Sequence, residues 1–149
     1  MEIDTPEIHV LELDGFLNSL RCVIGHPSKV FGAGYIPKRG LSIDSIVEKV
    51  IEESGYLVTK KTVDFKYIQT ILHKNIYSKL PIKDEETLIN LDWNLIEYYG
   101  LISTAENEDG KWNRLVSQEH IILESNGNND LDSFMFFVEY DDFIVETWL

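Results

Sequence analysis

At 149 residues, with 44% hydrophobic and 26% charged side chains, the chain has the size and composition of one folded domain, read here as residues 1–149. Its one cysteine, Cys22, excludes an internal disulfide and leaves too few thiolates for a cysteine-based zinc or iron–sulfur site. The net charge of −13 is unevenly placed: Met1 to Ile82 holds ten acids and ten Lys or Arg, whereas Lys83 to Leu149 holds 16 acids against Lys83, Lys111 and Arg114.

Met1 to Pro6 carries Glu2 and Asp4 where a secretory leader wants basic residues, and no run of about 18 apolar residues follows. A cytoplasmic location away from membranes is expected. Glu7 to Leu13 reads as a strand, Asp14-Gly15 as a hairpin turn and Phe16 to Ile24 as the returning strand, with a short helix at Phe16 to Cys22 as the alternative. Gly25 to Gly40, with four glycines and two prolines, reads as a loop.

Ile43, Ile46, Val47, Val50 and Ile51 fall at helical spacing, with Ser42 as N-cap and Gly55 just past the end. Asp64 caps a second helix whose stripe is Phe65, Ile68, Leu72 and Ile76, closed before Pro81. Asp84 caps a third, with Leu88, Leu91 and Leu95 inward and Gly100 as terminator.

Beyond Gly100 the period becomes two. Leu101 to Glu106 and Trp112 to Ser117 flank the turn-type residues Asn107 to Gly110; His120 to Ser125 and Phe134 to Tyr140 flank a second polar loop; Asp141-Asp142 turns the chain into Phe143 to Leu149. The predicted class is α+β: about three helices in the first two thirds packed on a C-terminal antiparallel β-meander, with an N-terminal hairpin.

Catalytic patterns are weak. The four histidines His9, His26, His73 and His120 form no metal-ligand spacing, so no metal or cofactor is expected. The loop carrying Gly25, His26, Gly32, Gly34, Lys29, Lys38 and Arg39 offers glycines and positive charge to a phosphate, but matches neither the P-loop nor the dinucleotide fingerprint. Helix Asp84 to Tyr99 followed by a turn and Trp112 to Val116 is similar to the last helix and wing of a winged-helix domain. Glu85, Glu86, Glu106, Glu108 and Asp109 would repel phosphates there, so direct nucleic-acid binding is disfavoured.

Charge segregation points to a basic protein partner, because complementary potential speeds encounter and excludes wrong partners. The residues expected to make that contact are Glu106, Glu108, Asp109 and Trp112 at one hairpin tip, with Glu139, Asp141 and Asp142 at another. The expected function is a non-enzymatic, acidic, protein-binding inhibitor, an immunity protein of bacterial type that blocks the cleft of a basic nuclease toxin. The alternatives are a small enzyme using the basic glycine-rich loop, or a regulator that imitates DNA.

Overall fold

The computed structural model describes residues 5–24, 31–54, 58–75, 77–81, 84–106, 110, 112, 114–125 and 134–148. The chain opens on helix α1, Pro6–Ile24. This replaces the expected N-terminal hairpin: His9, Val10, Leu13, Leu17 and Leu20 are buried along one face, a 3.6-residue stripe that overrides the local turn signal of Asp14-Gly15. Asp14 instead faces the sheet, where its Oδ1 accepts the Ala33 N–H at 2.9 Å.

Part of the expected Gly25 to Gly40 loop is a strand, β1, Gly32–Pro37. Its glycines and terminal proline are tolerated because β1 is an edge strand. Residues 25–30 lie outside the described residues. Helix α2, Ile43–Ser54, forms as expected, with Ser42 Oγ accepting the Ser45 N–H at 3.2 Å; Gly55 lies outside the described residues.

Strand β2, Val58–Asp64, has no counterpart in the sequence reading. Its lysines are exposed on the other edge of the sheet, so no apolar alternation marks it; pairing with a neighbour holds it in place. Helix α3, Phe65–Asn75, follows at once, and Asp64 Oδ1 accepts the Tyr67 N–H at 2.9 Å as the expected cap.

Helix α4, Glu85–Thr104, starts at Asp84, whose carboxylate accepts from the Thr87 N–H at 3.1 Å. It does not stop at Gly100. Buried Tyr99 and Ile102 on either side anchor the last turns, and together they outweigh the roughly 1 kcal/mol that glycine costs within a helix. The helix consumes Leu101 to Thr104, so among the described residues the expected hairpin with Trp112 to Ser117 shrinks to one bridge, Glu106 to Trp112; Leu115 bridges to Tyr140 instead.

Strands β3 (Glu119–Ser125), β4 (Phe134–Glu139) and β5 (Phe143–Trp148) form the expected C-terminal meander. The sheet is antiparallel in the order β1-β5-β4-β3-β2, so the meander is its centre and strands from the first half cover both edges. Ile122, Phe136 and Thr147 stand in register on one face; Ile122 and Phe136 belong to the larger core formed with α1, α3 and α4. Leu123, Phe137 and Ile144 on the opposite face pack with Ile46 and Val47 of α2. The class is therefore α+β, with its C-terminal strands between two helical layers.

Candidate partner-binding surface

The expected contact residues lie along the chain that leaves α4. Glu106 and Trp112 bridge to one another, and Trp112 is 67% exposed. Residues 114–116 then run beside 139–141: Val116 N–H donates to the Glu139 carbonyl at 2.9 Å, Asp141 N–H to the Arg114 carbonyl at 3.1 Å, and Arg114 N–H to Asp141 Oδ2 at 3.2 Å. This pairing places Trp112 within two residues of the strip that carries the second acidic cluster. Glu108 and Asp109 lie outside the described residues.

The second cluster is not uniform. Asp141 and Asp142 are exposed, but Glu139 is half-buried and forms a 2.7 Å ion pair with Lys38. Its charge is largely spent on Lys38. The same pair removes Lys38 from any phosphate loop, and its backbone N–H is fixed on the Asp142 carbonyl at 3.0 Å. Arg39 stands exposed in a turn at φ 49°; His26 and Lys29 lie outside the described residues.

Helix α4 supplies a surface that the sequence reading missed. Its inner stripe is anchored by Leu95, Tyr99 and Ile102, and the Tyr99 hydroxyl is 2.6 Å from Thr147 Oγ1 in the core. A second stripe, Ile89, Trp93 and Ile96, repeats at four and three residues and faces water, with Trp93 64% exposed. Glu86 and Glu97 share this face by the same spacing. The helix contains no Lys or Arg. Ile89, Trp93 and Ile96 are legible in the sequence as a second helical stripe beside Leu88, Leu91 and Leu95.

Beside this stripe lies a cavity of about 290 Å³, walled by Phe65, Ile96, Tyr99, Leu115, Val138 and Tyr140. Its polar groups are few: Ser103, Gln118 and His120. His120 is 5% exposed, its ring stands at a right angle to Phe65, and Nδ1 has no hydrogen-bond partner among the described residues. Burial holds its imidazole below the usual pKa of 6.5, partly offset by the negative charge of Asp64. Burial thus favours the neutral ring.

Elsewhere, polar contacts tie elements together. Lys61 and Tyr67 bind Glu124 at 2.8 and 2.5 Å; burial pushes that carboxyl up, but these hydrogen bonds outweigh it and hold it low. His73 Nε2 meets Asp92 Oδ2 at 2.8 Å, joining α3 to α4. Cys22 is exposed on α1. Among the described residues no group of three His, Cys, Asp or Glu side chains is placed to hold a metal, and no helix is long and apolar enough to cross a membrane. No protein-family model, curated protein or solved structure matches this chain.

Proposed function

We propose that this chain is an acidic inhibitor that works by binding a basic protein. More particularly, it is an immunity protein of bacterial type, acting in the cytoplasm, that neutralises a basic nuclease toxin by covering its active or nucleic-acid-binding cleft. The observation that carries this reading is the outer face of α4: three large apolar side chains in water, flanked by acids, on a helix without a base. Exposed Trp and Ile can anchor an interface, while surrounding carboxylates steer a cationic surface toward it.

Glu106, Trp112, Asp141 and Asp142, exposed at the far end of α4 and beyond, would extend the contact, with Glu108 and Asp109 between them in the chain. The enzyme reading is weakened by the Lys38–Glu139 ion pair. A reading frame for a basic nuclease domain is expected immediately upstream of this chain, and inhibition assays with its product test the proposal. The purified chain is expected to abolish cleavage of DNA or RNA at one equivalent, with an association rate that falls as salt rises. Undiminished cleavage at excess inhibitor overturns it.

A further inference from the structure

Gly100 occupies the interior of α4, where glycine is a poor helix former and backbone strain gives no reason for it: only Gly40 and Gly110 among the described glycines have positive φ. Crowding gives none either, since a Cβ built there would meet nothing within 4 Å. What Gly100 does is line two hollows at once. One is the His120 cavity; the other is a shallow groove along α4 bordered by Trp93, Ile96, Glu97 and Thr104. Ile96 and Ser103 are also common to both. Glycine at this position leaves the ridge between groove and cavity without a side chain.

The cavity walls are apolar and aromatic, whereas His120, Gln118 and Ser103 bring hydrogen-bonding groups to the same space. Its volume is near the lower end for small-ligand pockets, about 300 Å³. An apolar body with one polar edge is the anatomy of a tyrosine or tryptophan side chain. Such residues dominate binding when they enter a pocket inside an interface. The pocket shares Ile96, Gly100 and Ser103 with the groove that the exposed Trp93 borders on an acidic helix, and that adjacency places the ring on a basic protein rather than free in solution.

We propose that the His120 pocket receives a tyrosine or tryptophan side chain of the basic protein partner, with Gly100 keeping its mouth open. This rests on the protein-binding reading above. The docked ring fills the space between Ile96 and Leu115 and gives a polar hydrogen to, or takes one from, the lining His120, Gln118 or Ser103.

The ring can be tested without the partner. Titration of the ¹⁵N-labelled full chain with p-cresol, the tyrosine side chain as a free molecule, is expected to give saturable shifts at the Gly100, Ser103, Leu115, Gln118 and His120 amides. A dissociation constant on the order of 1 mM is expected for so small a ligand. Gly100→Leu puts bulk into open space and improves helix propensity, so it stays folded; it is expected to weaken p-cresol at least tenfold. Absence of saturable shifts, shifts centred elsewhere, or wild-type affinity in Gly100→Leu overturns the pocket. In the nuclease complex, Gly100→Leu is expected to weaken association at least tenfold and p-cresol to compete. A nuclease that binds Gly100→Leu as tightly as wild type overturns the inference but leaves the inhibitor reading standing. A nuclease that does not bind the wild type overturns that reading and the partner's ring with it, whereas the p-cresol arm alone reports whether the pocket exists.

Discussion

The bond between Tyr99 and Thr147 fixes α4 to the centre of the sheet, and replacing Thr147 by valine exposes its worth. Both residues are buried and the oxygens are 2.6 Å apart. Valine keeps the volume of threonine but removes the hydroxyl, so the tyrosine hydroxyl is left in the core without its partner. An unsatisfied buried hydroxyl costs about 1–3 kcal/mol. For a domain of this length each kcal/mol moves the melting temperature by roughly 2–4 °C, so Thr147→Val should lower it by roughly 2–12 °C. Tyr99→Phe alone should also cost stability, because it leaves the buried Thr147 hydroxyl without this partner. The double variant then removes both polar atoms, and its loss should fall short of the sum of the two single losses by about 1 kcal/mol or more. Urea denaturation of the four proteins measures this directly. Additive losses would show that the two hydroxyls do not depend on one another.

Glycines should respond in opposite directions. Gly32→Ala would set a Cβ 2.6 Å from Asp14 Oδ1, and moving that carboxylate breaks its bond to Ala33, so a loss of about 1–3 kcal/mol is expected by denaturant melt; Gly15→Ala enters open space within α1 and should gain about 1 kcal/mol. His120, held by burial below its usual pKa, contributes stability that is fully present above the unfolded value of about 6.5 and is lost as pH falls through the lowered folded value. His120→Gln should flatten that part of the melting-temperature profile. Glu146 behaves oppositely: burial pushes its carboxyl above the usual 4.5, so its contribution is present below that value and lost as pH rises through the folded one. Glu146→Gln should therefore raise the melting temperature at pH 7 relative to wild type more than at pH 4.

Helices α2 and α3 were legible because each combines a side-chain cap with a regular apolar stripe: Ser42 before Ile46 and Val47, Asp64 before Ile68 and Leu72. The central strands were legible because their apolar runs, Phe136 to Val138 and Phe143 to Val145, are buried by layers on both faces. Alternation across a few residues misled the reading of α1, where the informative period, Val10 to Leu13 to Leu17 to Leu20, extends through the Asp14-Gly15 pair. Local signals also failed at β2, whose lysine-rich edge is defined by register with β3 rather than by its own pattern. At Gly100 the stop signal lost to tertiary packing of Tyr99 and Ile102. The acidic tips were visible as charges, but the ion pair that occupies Glu139 depends on Lys38, about a hundred residues earlier in the chain. The outer stripe of α4 needed the second helical face to be followed as well as the first.

The central claim, that an acidic apolar face of α4 binds a basic protein, is tested most directly by calorimetric titration of the basic nuclease domain expected from the adjacent reading frame with wild type and Trp93→Ala. Trp93 is exposed, so its removal should leave the melting temperature nearly unchanged. Wild type should bind at one to one, and Trp93→Ala should lose at least about tenfold in affinity, roughly 1.4 kcal/mol. Absence of binding by wild type, or equal affinity in the folded variant, would contradict the claim.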